Sequence, residues 1–143
     1  MDQEIIEDIS AKVNPKLGEH LTWRWEPQFS VMLTEFARDK IDGTLVALRA
    51  QYQHEWDKKT IKKAPQQLKE QLGSFSNLIK EQRIFSTPAT EDMPALVGIL
   101  WPWGHGGTYS LRFTVLNESY EYPEIKPQPK GFIKKIISRF RSG

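Results

Sequence analysis

Residues 95–116, ALVGILWPWGHGGTYSLRFTVL, contain two β-rich runs separated by a loop of proline, tryptophan, glycine and histidine. The runs cover about 95–101 and 108–116, and both are rich in the β-branched and aromatic residues that strands favour. In the second run apolar side chains alternate with polar ones, which is typical of a strand with one buried face. The pattern predicts an antiparallel hairpin at the centre of a small sheet.

Helical spacing of apolar residues predicts three helices outside this hairpin. The spacing runs over residues 2–13, 27–41 and 64–82. Pro27 and Pro65 suit the first turn of a helix, where the missing N–H has no partner to lose. We therefore expect an α+β fold, in which several helices pack on a small antiparallel sheet.

Two further stretches bear on the size of the sheet. Apolar residues alternate over 21–25, which predicts a brief strand that ends at Pro27. Residues 44–56 fit both a strand and a helix; we favour the helix, and a strand here would give a curved sheet with a cone-like interior. The pair Asp42-Gly43 before them fits either a helix C-cap or the turn of a hairpin.

The composition is that of one soluble globular domain. The chain has 143 residues, 38% of them hydrophobic and 27% charged, and it contains no cysteine. This excludes disulfides and thiolate chemistry. No apolar stretch approaches the roughly 20 residues that cross a bilayer, and the first residues lack the basic region of a secretory signal. We expect a cytoplasmic protein, with peripheral attachment to a membrane left open.

Charge is divided unevenly along the chain. The net charge is +2, but residues 125–143 carry six basic residues and no acidic one, so the preceding part is acidic overall. Three prolines in 123–129 favour an extended spacer. The sequence thus predicts a globular domain at 1–122, a proline-rich linker at 123–130 and a basic amphipathic helix or tail at 131–143.

Apolar and basic residues separate completely on the helix predicted at the C terminus. At about 100° per residue the apolar side chains fall within one arc and the basic ones occupy the rest. Such a helix suits an anionic membrane surface or an acidic groove of a partner, although it could also pack on its own domain. The candidate contact residues are Lys130, Phe132, Lys134, Lys135, Ile136, Arg139, Phe140 and Arg141.

We therefore expect a small non-enzymatic binding or adaptor protein whose C-terminal helix contacts an acidic partner protein or an anionic membrane. Nucleic acid is not favoured as a partner, because the acidic domain offers no basic groove to extend the contact of the tail. The sequence does not indicate the oligomeric state.

The loop 101–107 supports the alternative hypothesis, a small-molecule-binding or catalytic pocket. Its candidate residues are Trp101, Trp103 and His105, to which His54 could be added. Glycines there could expose backbone N–H groups to a ligand, but glycine and tryptophan also serve simply to turn a hairpin and hold it on the core.

Nothing else in the sequence points to catalysis. No nucleotide-binding, kinase or calcium-loop motif is present, and the Gly-x-Ser-x-Gly elbow of hydrolases is missing. His20, His54 and His105 lie in three separate segments without metal-ligand spacing. We therefore predict no metal and no cofactor, and find no positive evidence for an enzyme.

Overall fold

The computed structural model describes residues 3–121, which form helices packed on a six-stranded antiparallel sheet. The helices are α1 (Gln3–Val13), α2 (Ile41–Gln51) and α3 (Gln66–Leu72). The strands are β1 (Arg24–Glu26), β2 (Val31–Ala37), β3 (His54–Trp56), β4 (Arg83–Thr87), β5 (Leu96–Pro102) and β6 (Thr108–Val115), in the sheet order β1-β2-β6-β5-β4-β3. The predicted α+β class is confirmed, and so is the hairpin of β5 and β6.

The predicted helix at 27–41 is wrong. Its centre forms β2, which pairs with β1 on one side and with β6 on the other. Because β2 is buried on both faces of the sheet, apolar residues occupy consecutive positions, and such a run also satisfies helical spacing. Pro27 lies in the β1–β2 turn, where the Glu26 carboxylate accepts hydrogen bonds from the backbone N–H groups of Gln28 and Phe29.

Residues 41–56 contain both a helix and a strand, the two elements that the sequence allowed for 44–56. The favoured helix is confirmed as far as Gln51, and the short strand β3 follows it. Asp42 and Gly43 lie in the first turn of α2, so both the C-cap and the hairpin interpretation of this pair are wrong. An acidic residue there is favourable, because the amino end of a helix carries a partial positive charge.

The third predicted helix is shorter than its apolar pattern. It ends at Leu72 rather than continuing to 82, and a 3₁₀ turn covers Gly73–Ser76. Gly73 has a φ of 57°, a conformation that costs glycine little and most other residues more. The apolar pattern continues because the following turn still packs on the sheet.

Helices α1 and α2 cover one side of the sheet, which we call face A. Its cluster joins Ile6 and Leu48 of the helices to strand residues that include Phe36, Phe85, Leu100, Leu111 and Phe113. Tyr52 packs against Gly98, where an added Cβ would lie 3.4 Å from the phenol oxygen. Burial raises the pKa of Tyr52 far above its usual value.

The opposite side, face B, has two different halves. Over β3, β4 and β5 it is covered by residues 61–78 and 116–120, whose buried side chains include Leu68, Leu72 and Tyr120. Over β1, β2 and β6 it carries Arg112, which lies opposite Ile99 of β5 and Leu33 of β2. An arginine thus occupies the middle of a buried strand.

The predicted linker at 123–130 and helix at 131–143 lie outside the described residues. Within residues 3–121, no helix combines the length and the apolar character needed to span a bilayer.

Candidate functional site

The loop between β5 and β6 uses its own backbone donors. The Trp103 N–H donates to the Thr108 carbonyl at 2.9 Å, and the Gly106 N–H donates to the Trp103 carbonyl at 2.8 Å. The Gly107 N–H donates to Nδ1 of His105 at 2.9 Å. These bonds occupy three of the N–H groups that a ligand cradle in this loop would need.

Arg38 fastens this loop to the end of β2. Its backbone N–H donates to the Gly107 carbonyl and its Nη1 to the Gly106 carbonyl, both at 3.0 Å. Its guanidinium lies 5.6 Å from the centre of the Tyr109 ring. Gly106 has a φ of 77°, which explains a glycine at this position.

The three loop residues singled out from the sequence have different surroundings. Trp103 is 40% exposed, and His105 is also exposed. Trp101 lies half-buried on face B, where it contacts Arg112 and Phe75. Of the predicted pocket residues, Trp101 is therefore the one that packs against other side chains of face B.

Arg112 is 7% exposed and lies against a group of three rings that we call the aromatic cage: Phe29 and Trp101, which face its guanidinium, and Phe75, which packs on both of them. The Arg112 guanidinium lies 4.3 Å from the centre of the Trp101 ring and 5.8 Å from that of Phe29. Phe75 contacts both other rings, at 5.2 Å from Phe29 and 5.9 Å from Trp101. Arginine favours such stacking because its planar cation is weakly hydrated.

The hydrogen-bond capacity of Arg112 is incompletely used. Its Nη1 donates to Oγ of Ser110 at 3.2 Å, whereas the buried Nε has no hydrogen-bond partner among residues 3–121. Burial lowers the pKa of Arg112, and Glu26 and Glu35 oppose this by their negative charge. Glu35 forms an ion pair at 3.3 Å with Arg24.

Glu26 also has a side-chain atom that lacks a hydrogen bond within residues 3–121. Its Oε2 accepts the two N–H bonds of the β1–β2 turn, while its Oε1 is buried and has no partner among the described residues. A buried charged atom without a hydrogen bond costs free energy. Face B therefore holds an under-bonded cation and an under-bonded anion in the same region.

A cavity of about 270 Å³ borders the aromatic cage. Its lining includes Phe29 of the β1–β2 turn, Val31 of β2, Leu72, Phe75, Ile99 and Thr114. Sequence reasoning missed this site, since the alternation in 108–116 predicts that the polar residues of this strand, Arg112 among them, face solvent. The available signal was a lone charge between apolar neighbours in the central hairpin.

A second polar cluster lies under the α3 side of face B. Nδ1 of His54 lies 2.9 Å from the Tyr120 hydroxyl, which lies 2.7 Å from Oγ of Ser86. Nε1 of Trp56 donates to the same serine oxygen at 2.9 Å. Burial lowers the pKa of His54.

His54 and His105 belong to different ends of the sheet. His54 pairs with Ser86, and Ser86 pairs with Val97 near the beginning of β5. His105 follows the end of the same strand. The structure therefore does not bring the two histidines into one cavity.

An exposed basic surface precedes α3 and extends over its first turn. Residues 58–69, which we call the lysine segment, contain five lysines and no acidic residue. Four of the lysines are exposed, and Nζ of Lys69 donates to the Lys62 carbonyl at 2.9 Å. The Glu121 N–H donates to Oε1 of Gln67 at 3.2 Å, so the chain reaches its last described residue beside this segment.

Residues 3–121 contain no group of three or more histidine, aspartate or glutamate side chains placed to hold a metal ion. No protein-family model, curated protein or solved structure matches this chain. Its function is therefore inferred from the geometry.

Proposed function

We propose that this chain is a small non-enzymatic binding or adaptor protein that contacts an anionic surface, either an acidic partner protein or an anionic membrane, through its basic C-terminal segment. The eight candidate contact residues of 130–141 are unchanged from the sequence prediction. The observation that supports the proposal is the position of the lysine segment, which lies where the chain leaves the described domain toward those residues.

The physical argument is that the lysine segment lies beside Glu121, the residue that leads toward the basic C-terminal segment. Gln67 binds the backbone of Glu121 and lies within the lysine segment, between Lys63 and Lys69. Each lysine near an anionic membrane surface contributes roughly 1 kcal/mol, and such contributions fall off within a Debye length. A lone amphipathic helix binds weakly, so the five additional lysines supply the second contact that stable attachment requires.

Vesicle co-sedimentation of the full-length chain tests this proposal. We expect binding to vesicles that contain phosphatidylglycerol, little binding to phosphatidylcholine alone, and a loss of binding as salt rises. Replacing Lys58, Lys59, Lys62 and Lys63 with glutamate should abolish binding. The matched control replaces Lys12, Lys16, Lys40 and Lys80, which changes the net charge equally but lies outside the lysine segment.

Deleting residues 126–143 should also abolish binding while leaving the fold intact by circular dichroism. Equal binding by the two lysine variants would mean that net charge alone is measured, and would contradict the proposal. An unfolded truncation would show that the tail belongs to the core. Failure to bind vesicles, with retained and salt-sensitive binding to a polyglutamate column, would select the acidic protein partner over the membrane.

A small-molecule-binding or catalytic pocket around loop 101–107 is the second candidate function. The observation that favours it is the stacking of Trp101 on the buried Arg112 beside a cavity. Trp103 and His105 are not part of that arrangement. This pocket and the anionic contact lie on different parts of the chain and can be tested separately.

A further inference from the structure

We propose that Arg112, Glu26 and the aromatic cage form a binding site for a small zwitterion of the α-amino-acid type with an apolar side chain. Arg112 would bind the carboxylate, Glu26 the ammonium group, and the cavity the side chain. This site is independent of the anionic contact made by the lysine segment and the C-terminal residues.

The free edge of Arg112 suits a carboxylate. Trp101 and Phe29 stack on the guanidinium, and Ser110 accepts from Nη1. This leaves the Nε side of the guanidinium, where Nε has no partner among residues 3–121. Nε and Nη2 together form the fork that binds a carboxylate through two parallel hydrogen bonds, so this edge matches a carboxylate.

The free oxygen of Glu26 suits an ammonium group. Oε2 is held by the N–H groups of Gln28 and Phe29, which fixes the carboxylate in the turn. Oε1 is buried and needs a donor. An ammonium group is such a donor, and it also neutralises the charge.

The sheet places the two groups on the same face. Arg112 pairs with Leu33, which pairs with Arg24, and Glu26 lies two residues beyond Arg24 on β1. Two strand spacings and a shift of two residues separate their Cα atoms by roughly 12 Å. Two long side chains placed in this way can both contact a small molecule that carries a carboxylate and an ammonium on one carbon.

The same arrangement disfavours a simple anion. Glu26 and Glu35 both act on Arg112 with negative charge, and Arg24 is already paired with Glu35. A phosphate or other dianion would meet one available cation and an uncompensated carboxylate. A zwitterion satisfies both under-bonded atoms without adding net charge.

The cavity provides space for the apolar side chain. The cavity adjoins the two charged residues without being lined by them: Phe29 belongs both to the aromatic cage and to the cavity lining, and Val31, the β2 partner of Glu26, also lines it. Phe29 is also 42% exposed and lies in the β1–β2 turn, where a change of side-chain rotamer would admit a ligand. The volume of about 270 Å³ is sufficient for the side chain of leucine or phenylalanine.

The test is an NMR titration of the ¹⁵N-labelled full-length chain with L-phenylalanine and L-leucine. The two comparison probes are 3-phenylpropanoate, which lacks the ammonium, and phenethylamine, which lacks the carboxylate. We expect the amino acids to bind most tightly and to shift the amide signals of Ser110, Arg112 and Thr114. Arg112→Lys keeps the charge but loses the fork, and should weaken L-phenylalanine at least about tenfold.

Glu26→Gln should weaken L-phenylalanine by a similar factor but leave 3-phenylpropanoate unchanged or better bound. The matched controls are Arg49→Met and Glu55→Gln, which alter the ion pair between α2 and β3 away from Arg112 and should stay within about twofold of wild type. If Arg112→Lys does not fold, Glu26→Gln and Phe29→Ala carry the test, since both residues lie in the β1–β2 turn region.

Two results would overturn the proposal. One is unchanged affinity for L-phenylalanine in Arg112→Lys or in both Glu26→Gln and Phe29→Ala, which would place binding elsewhere. The other is the absence of amide shifts with every probe up to about 10 mM, a limit that corresponds to negligible affinity. The gap between Arg112 and Glu26 would then hold a bridging water only.

Discussion

Face A and face B of the same sheet bury different kinds of side chain. Face A encloses an apolar cluster between the strands and the helices α1 and α2. Face B encloses an apolar cluster on one half, together with fully buried Ser86 and Ser110 and the nearly buried Arg112. Face A also buries polar groups, among them Thr34 and the hydrogen-bonded pair Ser10 and Asn14, whereas among residues 3–121 the buried charged side chain, Arg112, lies on face B.

The buried charge on face B is the feature that points to a functional site. A charge in a buried strand is destabilising unless it is paired, and Arg112 has one side-chain hydrogen bond within residues 3–121. Sites that violate the local rules of folding tend to be the ones that serve function. Substitutions on the two faces can test whether that inference holds.

The largest effect is expected on face A. Phe85→Ala removes a fully buried ring and should lower the free energy of unfolding by about 3–5 kcal/mol, because a cavity remains. Urea denaturation measures this. Val46→Ala, at a position 69% exposed, is the control and should stay within about 0.5 kcal/mol. A small loss in Phe85→Ala would show that face A is not the main stabilising core.

The next effect concerns the hydrogen bonds of face B. Ser86→Ala removes the acceptor of the Trp56 Nε1–H and the partner of the Tyr120 hydroxyl. The loss of these two buried hydrogen bonds should lower the free energy of unfolding by about 1–3 kcal/mol, which urea denaturation measures. Ser74→Ala, at an exposed position, is the matched control. Equal stability of the two variants would mean that the polar cluster is dispensable for folding.

Arg112→Met tests whether the buried charge of face B contributes to stability, as the apolar core of face A does. Methionine can fill the space and contact the aromatic cage without a buried charge, so the free energy of unfolding should stay within about 1 kcal/mol of wild type or rise. The double variant with Glu26→Gln, which also removes the carboxylate left unbalanced, should be more stable than Arg112→Met alone. A loss above about 3 kcal/mol in both variants would make Arg112 a structural residue.

Local patterns in the sequence were sufficient for helix α1 and for the hairpin of β5 and β6. Helix α1 follows from a period of 3.6, because one of its faces packs on the core, and the hairpin follows from two β-rich runs around a glycine loop, although both strands are buried on both faces. Strand β2 could not be recognised in this way, since it is buried on both faces and its apolar run fits two periods. Its pairing with β6 is long-range and leaves no local signal.

The candidate site was harder to predict than the fold for a related reason. Trp101 was singled out from its loop, but the groups that give it a role, Arg112 and Phe75, come from different segments. Glu26 and Phe29 were assigned to a strand and a helix, whereas they flank one turn. Sequence spacing cannot show such convergence, because it depends on strand order.

The smallest effect is the pH dependence that His54 should add to face B. Burial lowers the pKa of His54, so the unfolded chain binds a proton near pH 6.5 while the folded chain resists it. The contribution of His54 to stability is therefore complete above pH 6.5 and is lost as pH falls toward the lower folded pKa. Hydrogen bonds from Thr60 hold the pKa of Asp57 below 3.8. The contribution of Asp57 to stability is therefore lost only at more acidic pH.

Urea midpoints measured from pH 7.5 to 5.5 isolate this contribution. The wild-type midpoint should fall more steeply with decreasing pH than that of His54→Gln, because only the wild type has an imidazole at position 54 that takes up a proton more readily when the chain unfolds. His105→Gln, which changes a histidine in the exposed loop, should keep the wild-type slope. Parallel slopes in wild type and His54→Gln would show that His54 is hydrated in the folded protein, and that the polar cluster of face B is open to water.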